Sequence, residues 1–175
     1  MTADWRPRVL YAAVAAALLG FDRWTKVWAA SRLQFGPDVD VVPGLARFVY
    51  AENPGIAFSL FNSGEQTTRW ILASFAVTAA CVVAAMALRT SASAWRSQLM
   101  YALMFAGIVG NLIDRVRTGR VIDFIDVYIG THHWPVFNVA DSAITIGAVL
   151  LGLELLGIGA DHRTEQREPR TDADS

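Results

Sequence analysis

Four long apolar stretches, residues 9–28, 70–88, 99–113 and 139–158, constrain this chain more than any other feature of it. A helix needs about 20 residues to cross the hydrocarbon of a bilayer. The second and fourth stretches meet that length, and the third does so once it is extended back towards residue 94. Spans at about 9–28, 70–88, 96–113 and 139–158 are the simplest expectation. Composition agrees: 54% of the 175 residues are hydrophobic and 18% charged, with a mean hydropathy of +0.34, too apolar for an ordinary soluble domain. The first stretch is interrupted by Asp22, Arg23 and Lys26. Arg6, Arg8 and the small residues Ala29-Ala30-Ser31 give it the outline of a cleaved signal, but a discarded signal has no need of that charged motif, so it is read as a retained helix.

Between the stretches lie two outer segments. Residues 33–68 combine Gly, Pro, Asn and Asp with short β-type runs at 39–42 and 47–50, which predicts a small extracytoplasmic strand element. Residues 115–135 are too polar to span, and Val121, Phe124, Ile125 and Tyr128 fall at helical spacing, which predicts a short interfacial helix. The expected fold is therefore an all-α polytopic membrane protein: four transmembrane helices with a small extracytoplasmic β element and a short interfacial helix, forming one domain over 1–160. A polar tail at 161–175 is expected to be disordered. Arg6, Arg8, Arg89, Arg96, Arg163, Arg167 and Arg170 favour cytoplasmic termini. Arg23, Lys26, Arg32, Arg47, Arg69, Arg115, Arg117 and Arg120 weigh the other way, so the basic residues alone leave orientation open.

The polar residues at the span ends carry the chemistry, because an ionisable group at membrane depth is expensive and marks a site or pathway. Asp22 and Lys26, four apart on one helical face, are placed to pair. Asn53-Pro54-Gly55 reads as a turn entering an extended segment. Asn111 and Asp114 share a face at the end of the third span, and their plainest reading is a structural network in which Arg115 satisfies Asp114. Asn138 and Asp141, again three apart, open the fourth span. Asp123 stands among apolar residues, with Asp126 three further on. Asp114, Asp123 and Asp141 can thus converge at one level of the bilayer.

Two carboxylates held close together do not both ionise readily. One then takes a proton from water while its protonated partner hydrogen-bonds the developing oxyanion and supplies the leaving nitrogen with its proton. Such aspartic proteolysis needs no metal and no cofactor. Serine and cysteine mechanisms lack a nearby histidine, because Cys81, the only cysteine, lies mid-span and His162 is in the tail. Nor does any zinc motif occur, and a net charge of −1 gives no basic excess for nucleic acid. Two other classes compete: a small ion-coupled transporter, which would put charges at mid-span, and a non-catalytic assembly subunit glued by Asn and Asp. On residues alone, Asp114, Asp123 and Asp126 all stand as partners for Asp141.

The motifs resemble, in order, those of the lipoprotein signal peptidase family, the type II signal peptidases. They are Asp22-Arg23-Trp24-Thr25-Lys26, Asn53-Pro54-Gly55-Ile56-Ala57-Phe58-Ser59, Gly110-Asn111-Leu112-Ile113-Asp114-Arg115 with Gly119-Arg120-Val121-Ile122-Asp123-Phe124, and Phe137-Asn138-Val139-Ala140-Asp141. The resemblance implies that Asp123 and Asp141 are the catalytic pair. It implies that Asp22, Lys26, Asn53, Gly107, Asn111, Asp114, Arg115, Asn138 and Ala140 bind substrate or support the dyad. It further implies a multi-pass protein of the bacterial cytoplasmic membrane with both termini inside and the site near the outer face. Its substrates would be prolipoproteins already carrying diacylglycerol, its surroundings membrane lipid, and its inhibitor a cyclic peptide such as globomycin. A monomer is expected. Arg23 stands where many members have Gln, and Ala106 where a Gly pair is usual.

Overall fold

The computed structural model describes residues 6–55 and 65–158. The polar tail and most of the segment after Gly55 lie outside the described residues. Four helices carry the chain: α1 (Arg6–Leu33), α2 (Glu65–Arg89), α3 (Trp95–Thr118) and α4 (Val139–Leu155). Strands β1 (Val39–Val42), β2 (Ala46–Asn53), β3 (Val121–Ile129) and β4 (His132–His133) form one antiparallel sheet in chain order. Helix α3 is the hub, packing against α1, α2 and α4.

Two helical stretches among the described residues, Gln66–Arg89 and Trp95–Thr118, are long and apolar enough to cross a bilayer. The other two miss for different reasons. Helix α1 has 28 residues, about 42 Å of helix, but carries Asp22, Arg23 and Lys26. Helix α4 has 17 residues and is about 26 Å long, somewhat short of a hydrocarbon core about 30 Å thick.

The interfacial helix expected over 115–135 is not there, so the protein is not all-α. Helix α3 runs on to Thr118 and stops at Gly119, whose φ of 83° is the left-handed conformation that glycine adopts without strain. Beyond that glycine, Val121–Ile129 is a strand paired with β2, with Asp126 opposite Arg47 and Asp123 opposite Ala51. Its Val, Ile, Phe and Tyr residues suit a pleated surface, and their helix-like spacing yields to the partner strand. A strand turns residues three apart to opposite faces, and that separates Asp123 from Asp126.

The sheet sits on the end of α1. Ala29, Leu33 and Phe124 form a buried cluster, against which Trp28 packs edge-on to Phe48, ring centroids 5.4 Å apart. Trp28 is thus a core residue joining helix to sheet, while Trp24, Trp70, Trp95 and Trp134 stay largely exposed, as membrane anchors would be.

Small residues bring α3 onto α4. A Cβ on Gly107 would lie 2.3 Å from the Ala140 carbonyl oxygen, and one on Gly110 would lie 2.7 Å from Asp22 Oδ2. Because backbone cannot yield as a flexible side chain does, Gly107→Ala is expected to lower stability by about 1–3 kcal/mol, read as a lower unfolding temperature in detergent. Gly20, with no atom within 4 Å of its Cβ position, is the control: Gly20→Ala should leave unfolding unchanged or slightly raised. Equal unfolding temperatures for the two variants would mean that the α3–α4 contact is looser than described.

Candidate active site

Asn138 caps α4. Its side-chain Oδ1 accepts the Asp141 backbone N–H at 2.9 Å, and Asp141 Oδ2 accepts the Asn138 backbone N–H at 3.2 Å, a reciprocal capping box. That bond fixes which way the Asn138 amide faces: its Nδ2 donates to Asp123 Oδ1 at 2.6 Å and to the Ile122 carbonyl at 3.2 Å. One fully buried asparagine therefore holds both carboxylates, Asp141 through its main chain and Asp123 through its side chain.

Each aspartate also has a donor of its own. Asn111 Nδ2 donates to Asp141 Oδ1 at 2.7 Å. Asn53, the last residue of β2, donates from Nδ2 to Asp123 Oδ2 at 3.0 Å while its Oδ1 accepts the Gly55 N–H at 2.9 Å, so a local turn orients the amide. Burial and the neighbouring Asp141 carboxylate push the Asp123 carboxyl up to about 6, against the opposing pull of Asn53, Asn138 and Lys26.

Behind the aspartates lies an ion cluster centred on Lys26, which is fully buried. Its Nζ lies 3.0 Å from Asp22 Oδ2 and 2.9 Å from Asp114 Oδ2, and donates to Asn111 Oδ1 at 3.0 Å. Arg23 pairs with the other oxygen of Asp114. Two acids thus meet two bases. Because an ammonium can only donate, Asn111 must present its oxygen to Lys26 and hence its Nδ2 to Asp141. Asp22 Oδ1 accepts the Ala140 backbone N–H at 3.0 Å, which ties α1 to the first turn of α4.

Of the residues singled out from sequence, Asp22, Lys26, Asn53, Asn111, Asp114, Asn138 and Asp141 join Asp123 in this one network. Gly107 and Ala140 permit the close helix approach. Asp114 is satisfied by Lys26 and Arg23 and not by Arg115, because consecutive helical residues point in different directions. Arg115 donates to the Asn111 carbonyl at 3.4 Å, within electrostatic reach of Asp141 and Asp123. Asp126 is the candidate left outside. It accepts from Arg47 Nε at 2.8 Å and lies 2.9 Å from His133 Nδ1. Its burial favours the neutral form, yet His133 and Arg47 together outweigh that and hold it below the usual carboxylate range. The Arg23 contact and the Arg47–Asp126–His133 cluster are invisible in the sequence, since nothing periodic links their members; the strand pairing of Arg47 with Asp126 is the one signal, and it needs the sheet.

The arrangement provides two coupled carboxylates at the edge of a helical bundle, one biased towards its protonated form, with a guanidinium beside them. That set suits general acid–base activation of water without a nucleophilic side chain.

Comparison with known proteins points the same way. The family model described as "Signal peptidase (SPase) II" matches residues 14–157. A protein named lipoprotein signal peptidase from Geobacter metallireducens is 40% identical over 92% of this chain and 95% of its own. One of the same name from Xanthomonas axonopodis pv. citri is 36% identical over 93% and 92%. Two solved structures titled as a bacterial membrane enzyme, determined by the in meso method, also align. The 1.9 Å structure has a TM-score of 0.74 at 32% identity, covering 84% of this chain and 92% of its own. The 2.3 Å structure has 0.75 at 30%, covering 91% and 94%. The chain belongs to the signal peptidase II family, the aspartic peptidases that cleave signal peptides from lipoproteins.

Proposed function

We propose that Asp123 and Asp141 are the dyad with which this lipoprotein signal peptidase activates water. The observation that carries the reading is their shared attachment to Asn138, which couples two carboxylates of which Asp123 is raised to about 6. With one proton between them, the ionised member takes a proton from water as the water attacks the scissile carbonyl. The protonated member hydrogen-bonds the oxyanion and then protonates the leaving amine. Asn53, Asn111 and Asn138 orient the pair, Asp22, Lys26 and Asp114 brace it, and Arg115 is placed to meet a substrate carbonyl.

All four helices span the membrane in this reading, with both termini in the cytoplasm and the dyad near the outer face of the cytoplasmic membrane. Its support is the grouping of the polar residues at one level of the bundle and of Arg6, Arg8, Arg89 and Arg96 at the other ends of α1, α2 and α3. The substrate is a prolipoprotein whose cysteine carries diacylglycerol. Each buried CH₂ is worth about 0.8 kcal/mol, so such a chain stays in the bilayer and the peptidase must meet it there. Globomycin is expected to bind at the dyad in place of substrate, and the active unit is a monomer. The test is incubation of the purified protein with diacylglyceryl-modified prolipoprotein. Cleavage before the modified cysteine, insensitive to chelators and blocked by globomycin, is expected; cutting that a chelator stops would remove the dyad mechanism.

The dyad should also impose a pH dependence. Raising the pH strips the shared proton, so kcat/KM should fall on a limb set near pH 6 by Asp123. The Asn53 amide favours the ionised form. Its removal raises the Asp123 value, and Asn53→Ala is therefore expected to move the falling limb to higher pH. An unmoved or lowered limb in a pH–rate profile would argue against Asp123 as the group that titrates.

A further inference from the structure

At the end of the bundle away from the dyad, α1 and α2 lie on either side of α3 without packing extensively on each other. Between them runs a groove of about 430 Å³, lined by small side chains from all three helices, among them Ala12, Ala15, Ala84, Ala87, Ala102 and Ala106. It extends from Arg8 to Leu19 along α1, a rise of about 16 Å. Apart from Arg8, Gln98 and the hydroxyls of Tyr11 and Tyr101, its lining is apolar. A lining of this kind, on helices lying in a membrane, suits a hydrocarbon chain.

The mouth is built and basic. Arg8 donates to the Ala87, Leu88 and Thr90 carbonyls at the end of α2, at 3.1, 3.3 and 3.2 Å. Gln98 Nε2 donates to Ala87, Thr90 and Ser91 there as well. A guanidinium has five N–H donors, so Arg8 keeps two beyond these three bonds. Arg89 ends α2 beside Leu88, and Arg6 lies two residues before Arg8. No acidic residue among the described residues lines the groove; Glu154, on α4, accepts from Ser97 at 2.8 Å.

We propose that this groove binds an acyl chain of an anionic glycerophospholipid, with the lipid phosphate held by Arg8 and Arg89. Charge decides between this occupant and the hydrophobic helix of a signal peptide: a signal peptide begins with a positive segment, which the arginines repel and which a phosphate replaces favourably. The bound chain would fill the gap between α1 and α2 that protein packing leaves open. The proposal rests on the helices lying in a membrane and is independent of the dyad assignment.

Native mass spectrometry of the full chain released from detergent tests it, with palmitoyl-oleoyl phosphatidylglycerol and the matching phosphatidylcholine as probes. Wild type should retain one phosphatidylglycerol in preference to phosphatidylcholine by roughly fivefold or more, the effect of one arginine near an anionic headgroup. Ala84→Phe, which fills the groove, should lose the retained lipid. Arg89→Gln, at the last residue of α2, should keep a lipid but with a weaker headgroup preference, since Arg8 remains. Both variants are checked for wild-type cleavage and thermal unfolding, and Ala15→Phe replaces Ala84→Phe if the latter misfolds. Equal retention of the two lipids by wild type overturns the proposal. So does undiminished retention in both groove-filling variants, equal binding of acyl-free glycerophosphate, or retention in the groove of a signal-peptide helix in place of lipid.

Discussion

Asp123→Asn and Asp141→Asn should each reduce cleavage of a diacylglyceryl-modified prolipoprotein by roughly 10²- to 10⁴-fold, the usual scale of a lost general acid or base. An amide neither takes a proton from water nor delivers one to a leaving amine. Both positions are held by donors, Asp123 by Asn53 and Asn138, Asp141 by Asn111 and the Asn138 main chain, so an amide in either place keeps an acceptor for only part of its set. Thermal unfolding and circular dichroism must therefore accompany the rate. Because the two carboxylates act as one unit, the double variant should be little worse than either single one. Asp126→Asn supplies the contrast: that carboxylate serves Arg47 and His133 on the other face of β3, and its variant should cleave within about tenfold of wild type. Near-normal turnover in either dyad variant, or a loss in Asp126→Asn as deep as theirs, would reassign the chemistry.

That contrast also marks where the sequence is legible. Helix spacing pairs Asp22 with Lys26, four apart on α1, and sets Asn138 beside Asp141, the N-cap and third residue of α4. The register of long apolar helices is a local property, and α1, α2 and α3 begin and end within a few residues of the stretches read from hydropathy. Asp123 is another matter. Residue spacing leaves three aspartates open as partners for Asp141, and the choice among them comes from resemblance to a family. Its physical basis is the strand β3, which turns Asp123 to the network and Asp126 away from it. Spacing at 121, 124, 125 and 128 suggests a helix there, since a strand with both faces partly buried has no clean alternation. Strand pairing with β2, some 70 residues earlier in the chain, overrides the local pattern. The Arg23–Asp114 pair is illegible for a related reason: it joins α1 to α3 across 91 residues, and only the packing of the two helices brings them together.

Lys26→Met is expected to be the most damaging change outside the dyad. The methionine matches the apolar stem but leaves Asp22 and Asp114 buried together, with the Arg23–Asp114 pair as the one ion pair remaining to them among the described residues. Removing one member of a buried ionic set costs about 3–5 kcal/mol, because the charges left behind keep their desolvation penalty without the attraction that offset it. A second consequence is separable from the first. Without an ammonium to face, Asn111 loses the contact that turns its oxygen inward and its Nδ2 towards Asp141, so cleavage should fall even in protein that remains folded. Adding Asp22→Asn to Lys26→Met tests the division. It removes the unpaired charge and retains an oxygen for the Ala140 N–H, so unfolding temperature should recover in large part while turnover does not. Recovery of both together would make Lys26 a purely structural cation, and recovery of neither would mean that Asp22 is not its principal counter-charge. The expected split, stability returning without activity, arises because Lys26 touches both halves of the site: two carboxylates that hold helices together, and one amide that orients Asp141, a member of the proposed dyad.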